Sequence, residues 1–215
     1  MRMILIGAPG SGKGTQAKVL AERLDVPHIS TGDILRDAVK RGTELGKKAA
    51  PIMASGALVP DELMIGIIAD RLRQEDARKG FILDGFPRTV AQAEKLGAIL
   101  RQGNGSDRLH VVYLSVPDEF IVRRIAARRS CPGCGAIYHL ENSPPKVADV
   151  CDKCGSALVA RPDDREEAVR PRLENFHRQT MPVVDFYRNE GTFIEVDGVG
   201  AIDEIFERIE RSLSA

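Results

Sequence analysis

An α/β fold, a parallel β-sheet with helices on both faces, is what this chain predicts, and three observations predict it. Short apolar runs recur at Met3-Ile4-Leu5-Ile6, Phe81-Ile82-Leu83, Val111-Val112-Tyr113-Leu114 and Phe193-Ile194-Glu195-Val196. The runs are near-continuous rather than alternating, as in strands buried on both faces. Segments of helical period separate them, and strands alternating with helices ask for a parallel sheet. At 215 residues the chain suffices for one full core with a small insert.

The elements follow in order. The first run ends at Gly7 and passes into a glycine-rich turn; Thr15 to Leu24 then places Ala17, Leu20, Ala21 and Leu24 at helical spacing. Residues 30–59 read as short helices after the Ser30-Thr31-Gly32 turn, with no intervening strand. Helical periods return at Asp61–Arg73, Thr89–Arg101 and Pro117–Arg128. Residues 127–164 hold the cysteines and Pro144-Pro145 with little periodicity. Both non-periodic stretches read as inserts on the core, placed as loops over a site would be. Asp164 to Tyr187 looks helical but contains Pro171 and Pro182. Each proline removes a backbone donor, so a bent or broken helix is expected there.

Composition narrows the classes. Lys plus Arg number 31 and Asp plus Glu 31, so no basic excess advertises a nucleic-acid binder. No apolar run approaches the roughly 20 residues that cross a bilayer. The start, Met1 to Ile6, enters a strand directly and leaves no room for a secretory signal, so a soluble cytoplasmic protein is expected.

Gly7-Ala8-Pro9-Gly10-Ser11-Gly12-Lys13-Gly14-Thr15 sits between strand and helix. Glycines let successive N–H groups converge on phosphate oxygens, the helix N-terminus adds partial positive charge, and Lys13 reaches the β- and γ-phosphates. The common P-loop has Ser or Thr directly after the lysine; here Gly14 intervenes before Thr15. A glycine-rich turn without a ligand is the plain rival.

All four cysteines fall in Cys131-x₂-Cys134-x₁₆-Cys151-x₂-Cys154, the spacing of a four-thiolate zinc ribbon. Gly133, Gly135 and Gly155 suit the tight turns. Four protein ligands close the sphere, so a structural Zn²⁺ is expected; iron fits a thiolate tetrahedron too, and two disulfides or free thiols are the rivals.

The variant loop resembles that of nucleoside monophosphate kinases. With Ser30-Thr31-Gly32-Asp33, Asp84-Gly85-Phe86-Pro87-Arg88, Gln92 and Arg161-Pro162-Asp163-Asp164, the resemblance extends over nearly the whole chain. It is to adenylate kinase of the long type, whose lid can carry zinc. The resemblance implies a P-loop core (1–29, 60–126 and 165–215), an AMP-binding insert (30–59) and a lid (127–164). It implies reversible phosphoryl transfer from Mg-ATP to AMP giving two ADP, by a monomer, with no nucleic-acid or membrane partner. AMP would meet Thr31, Arg36, Ala57, Leu58, Val59, Gly85, Phe86, Pro87, Arg88 and Gln92. ATP would meet Gly10, Ser11, Gly12, Lys13, Gly14, Thr15, Arg124 and Arg128, with lid and base contacts at Ile137, Tyr138 and Gly200. Arg161 and Arg172 would close over the phosphates. Lys13, Arg88, Arg128, Arg161 and Arg172 form the expected catalytic set, with Asp84 holding Mg²⁺ through water.

AMP carries an ionised nucleophile, so neither covalent intermediate nor general base is needed; the demand is for positive charge. Simpler roles compete. Thr31 could be a helix N-cap, and Thr89-x-x-Gln92 a capping box. Arginines commonly lie on solvated faces, and Asp163-Asp164 could complement a helix N-terminus, which keeps both outside the catalytic set. A UMP, CMP or GTP-using kinase is the near alternative. A zinc-ribbon nucleic-acid-binding regulator is the distant one, disfavoured because residues 131–154 offer only Lys146, Lys153 and Tyr138 for phosphate and stacking contacts.

Overall fold

The computed structural model describes residues 1–102, 108–189 and 193–213. In chain order, β1 (Arg2–Gly7), α1 (Lys13–Leu24) and β2 (His28–Ser30) lead into the helical pair α2 (Thr31–Lys40) and α3 (Glu44–Ala54). Next come α4 (Asp61–Leu72), β3 (Phe81–Asp84), α5 (Val90–Gln102), β4 (Leu109–Ser115) and α6 (Asp118–Ala126). A small antiparallel pair, β5 (Arg128–Ser130) and β6 (Ile137–His139), precedes α7 (Glu166–Asn175), α8 (Met181–Arg188), β7 (Phe193–Asp197) and α9 (Ile202–Leu213).

Five strands form one sheet in the order β2-β3-β1-β4-β7. Every pairing is parallel: Arg2 faces both Phe81 and Leu109, His28 faces Ile82, and Val111 faces Phe193. The expected fold class is the one observed. The continuous apolar runs now have a cause. Along β1, Met3 and Leu5 pack with Ala17 and Leu20 of α1 and with Ile205, Phe206 and Ile209 of α9. Ile4 and Ile6 point to the other core, with Met64, Ile68, Leu96, Val183 and Val184. The side-chain period is still two; both phases are apolar because both faces are covered. Ile4, Ile82 and Leu83 are fully buried, and truncating such a residue to alanine costs about 2–5 kcal/mol.

The chain runs from β1 out to the edge strand β2, returns to β3, then crosses to β4 on the far side of β1. Winding therefore reverses beside the carboxyl ends of β1 and β3, where parallel sheets open a ligand crevice. Gly7 and Asp84 stand at those two ends.

Three local expectations shift. β2 was not foreseen, because three residues between a proline and a helix carry too little periodicity to register. α1 begins at Lys13, two residues before the expected Thr15. The helix at 164–187 is interrupted, but not at Pro171, which lies inside α7. The break is one π-turn, Phe176–Thr180, where the Met181 N–H bonds Phe176 O, five residues back. Pro182 sits in the first turn of α8, where a missing N–H costs little.

Candidate active site

The turn after β1 wraps its backbone inward. Gly10 and Gly12 take φ of 86° and 95°, which a side chain would oppose, and Thr15 N and Gln16 N both bond Gly12 O. The first free N–H groups of α1 thus face the crevice with no acidic residue in that turn. Gly14 also gains a reason. A Cβ there would lie 3.1 Å from Asp84 Oδ2, so the carboxylate at the end of β3 abuts the position where the common loop has Ser or Thr. Ser11 is fully buried, its hydroxyl without a hydrogen-bond partner among the described residues, and Lys13 Nζ donates to Ala8 O at 3.2 Å.

Two clefts open at this edge. The first, spanning about 600 Å³ with the solvent at its mouth, is lined by Thr31, Arg36, Ala57, Leu58, Val59, Phe86 and Gln92 among others. The second, about 500 Å³, is lined by Gly7, Pro9, Lys13, Pro87 and Thr180. They share Gly56, Leu58, Gly85, Arg88 and Arg172 as a common wall. Two guanidinium groups therefore stand where the clefts meet.

Five of the arginines are each aimed by a specific contact. Arg88 Nε donates to Gly85 O at 2.8 Å, and Arg36 Nη2 to Asp33 Oδ1 at 2.7 Å. Arg124 Nη1 donates to Ser11 O at 3.3 Å, tying α6 to the loop. Arg128 forks onto Asp164, with Nε to Oδ2 at 2.7 Å and Nη2 to Oδ1. Arg172 Nη1 meets Asp163 O at 2.6 Å and Asp163 Oδ2 at 3.1 Å. The buried Arg161 Nε has no hydrogen-bond partner among the described residues. Pro171 beside Arg172 has not deflected that arginine outward.

Burial pushes the Lys13 ammonium down to about 8, with Asp84 opposing and Arg88, Arg172 and Arg128 adding to the depression. Burial, then repulsion from Arg172, lowers Arg88 to about 10; burial, then Arg36 and Arg128, lowers Arg161 to about 10. These cations feel one another across the same space. For Asp84 burial opposes ionisation, but the bond from His28 (Nε2 to Oδ2, 3.4 Å) and the Lys13 charge outweigh it and hold the carboxyl below its usual range. Asp163 is likewise held down against burial, chiefly by Arg172. Partly desolvated cations that repel one another across an open space, even with carboxylate partners beside several of them, suit a polyanion.

The simpler roles can now be weighed. Ser30, not Thr31, caps α2, accepting from Asp33 N; the Thr31 hydroxyl donates to Gly85 O at 2.9 Å. Thr89 does receive Gln92 N at 3.2 Å, but the Gln92 side chain accepts from Arg88 N at 2.8 Å and donates to Asp61 at 2.7 Å, and it lines the first cleft. Asp163 and Asp164 hold Arg172 and Arg128, a role sequence reasoning missed although the pair stands beside Arg161. His28 was missed as well; its link to Asp84 spans two strands. Ile137 is half-buried, Tyr138 lies buried among the cysteines, and the exposed Gly200 takes φ of 135°.

The cysteines form two equivalent knuckles. Gly135 N bonds Cys131 O, Gly155 N bonds Cys151 O, and both glycines take positive φ, 70° and 73°. All four Sγ atoms lie within 4.8 Å of one another, with Cys131 to Cys154 at 3.3 Å and Cys134 to Cys151 at 3.5 Å. Tetrahedral Zn–S bonds of about 2.3 Å put sulfurs about 3.8 Å apart, so the group fits such an ion. Tyr138 OH accepts from Asp152 N at 2.9 Å, leaving its hydrogen for Cys151 Sγ at 3.5 Å; that bond draws the Cys151 thiol down to about 6.

Comparison with known proteins agrees in extent. The family described as Adenylate kinase matches residues 5–192. A protein of Archaeoglobus fulgidus named Adenylate kinase is 51% identical over 213 residues, 99% of this chain and 98% of its own. One from Geobacter sp. strain M21 with that name is 53% identical over 205 residues, 95% of each chain. A third, from Caldanaerobacter subterraneus, is 49% identical over 213 residues, 99% of this chain and 96% of its own.

Proposed function

The chain belongs to the adenylate kinase family, and from that premise we propose how its own residues carry out the family reaction. The reaction is reversible phosphoryl transfer between ATP and AMP, giving two ADP. AMP occupies the first cleft, its base toward Gln92 and Ala57–Val59, its phosphate toward Arg36, Arg88 and Arg172. The ATP phosphates lie along Gly10–Thr15 in the second cleft, with Arg124 and Arg128 on their outer side. Arg161 reaches the phosphates from the lid, and Ile137, Tyr138 and Gly200 border the ATP base.

The observation that carries this reading is the shared wall. Arg88 and Arg172 face both clefts, so an oxygen of the monophosphate and the terminal phosphorus of the triphosphate meet between them. No side chain has to give or take a proton, because the attacking oxygen is already ionised. The chain's work is to hold the two anions in line and to spread positive charge over the transferring group; one such arginine can contribute roughly 10³–10⁵ in rate. The buried, ionised Asp84 offers the hard oxygen ligand that suits Mg²⁺, through its bound waters. When bound with ATP, Mg²⁺ neutralises phosphate charge and orients the chain of phosphates. The cysteines hold a structural Zn²⁺.

The division into core (1–29, 60–126, 165–215), AMP insert (30–59) and lid (127–164) gives closure its purpose. The two inserts exclude water, which would otherwise hydrolyse ATP. No described helix is long and apolar enough to cross a membrane, and a cytoplasmic monomer without nucleic-acid partners fits the neutral charge balance. The test is conversion of Mg-ATP plus AMP to ADP, followed by coupled assay. Lys13→Ala is expected to cut kcat at least about 10³-fold; full activity in that variant defeats the reading.

A further inference from the structure

The first cleft ends on a side chain whose orientation is fixed from two directions. Gln92 is 2% exposed. Its Oε1 accepts from the Arg88 backbone N–H at 2.8 Å, and its Nε2 donates to Asp61 Oδ1 at 2.7 Å. The second oxygen of Asp61 accepts the Thr89 hydroxyl at 2.8 Å, and that hydroxyl in turn receives Gln92 N at 3.2 Å. Asp61 opens α4, Thr89 precedes α5, and Gln92 lies in the first turn of α5, so two helices clasp one amide.

An ionised carboxylate can only accept and a backbone N–H can only donate. Only one orientation of the Gln92 amide satisfies both. Rotating it by half a turn sets Oε1 against the carboxylate and the NH₂ against the Arg88 N–H, losing two bonds and creating two like-against-like contacts in a buried place. One N–H of Nε2 and one lone pair of Oε1 remain, and the residue lines the cleft.

That remaining pair has a chemical sense. A 6-aminopurine shows an acceptor at N1 beside a donor at the 6-amino group, which pairs with an amide N–H and C=O. A 6-oxopurine shows a donor at N1–H beside an acceptor at O6, which needs the amide turned over. We propose that Asp61 is a specificity-determining positioning residue: by locking the Gln92 amide it makes the cleft accept 6-amino and refuse 6-oxopurine monophosphates. The inference rests on the reading of this cleft as the AMP site, and it adds a residue that never touches the nucleotide. Asparagine at 61 can donate as well as accept, so Asp61→Asn releases the lock at nearly constant shape.

The test measures kcat/KM for AMP and for IMP, with saturating Mg-ATP, in the parent chain, Asp61→Asn, Thr89→Val and Gln92→Ala. The AMP/IMP ratio is expected to fall about tenfold or more in Asp61→Asn, mostly through KM, and about threefold in Thr89→Val, where the carboxylate loses one of its anchors. Gln92→Ala should lower the ratio at least as far. An unchanged ratio in Gln92→Ala means the amide does not meet the base, and the placement of AMP fails together with the lock. A lowered ratio in Gln92→Ala with an unchanged ratio in Asp61→Asn overturns the lock alone, as does an equal loss for both monophosphates, the mark of a merely structural aspartate. Should Asp61→Asn not fold, Thr89→Val decides: an unchanged ratio there overturns the proposal.

Discussion

Lys13 shows how a single group carries both motif and electrostatics. Burial and neighbouring cations lower its ammonium to about 8, from 10.5 in an open chain. Between those values the unfolded chain binds more protons than the folded one, so the strain of holding the cation is fully present below about pH 8 and fades as pH rises toward 10.5. The same depression governs binding. The free enzyme loses the loop's cation above about pH 8, so kcat/KM for Mg-ATP should fall tenfold per pH unit on that limb, while the limb in kcat moves to higher pH because bound phosphate stabilises the ammonium. A flat kcat/KM profile from pH 7 to 9.5 contradicts this. The lysine was legible because a glycine-rich turn between strand and helix admits few other uses. Asp61 and His28 were not, since each meets a partner on another element, and an isolated carboxylate or imidazole carries no signal of what the fold brings to it; Asp163-Asp164 stood out beside Arg161, but not the arginines they hold.

At the scale of elements, spacing told most where chemistry demands it. Two Cys-x-x-Cys pairs read as one site, and the fold brings all four sulfurs together beside Tyr138 and Leu158, a core too small to stand alone. On the proposed zinc site, Cys134→Ser should release one zinc per chain, read with a chromogenic chelator, and lower Tm by about 6–12 °C, for roughly 3 kcal/mol of folding energy lost. A variant that melts with the parent would show that the thiolates hold no ion. The sheet was equally legible, because both phases of β1 are apolar. What sequence could not place was the interruption at Phe176–Thr180: the prolines marked it, yet whether the helix breaks near Pro171 or Pro182 depends on which can sit in a first turn. Register and strand order were also beyond reach, for they are set by packing between segments far apart in the chain.

Across the whole molecule, segment 30–59 touches segment 127–164, and each touches residues of the segments around the sheet. Lys40 of α2 donates to Pro132 O at 2.9 Å, and Lys18 of α1 to Gly135 O at 3.4 Å, both on the first cysteine knuckle. Asn175 Nδ2 holds Gly56 O at 3.0 Å. We read these two lysine contacts, which lie outside the clefts, as latches that favour closure of the lid. Exposed bonds of this kind contribute about 0.5–1.5 kcal/mol each. Lys18→Ala with Lys40→Ala should therefore raise KM for both nucleotides about two- to tenfold, while kcat holds or rises, since lid opening commonly limits turnover. Unchanged KM values would mean the knuckle contacts play no part in closure.

The central claim is that cations from different elements gather on one transferring phosphoryl group. Arg88 stands on the wall between the two clefts and tests it most directly, through steady-state kcat for Mg-ATP plus AMP in Arg88→Ala, with thermal melting to verify the fold. The account expects a fall of about 10³–10⁵ in kcat with the melt preserved. A folded variant turning over within about tenfold of the parent would contradict it, because no arginine that stabilises the transition state is worth so little.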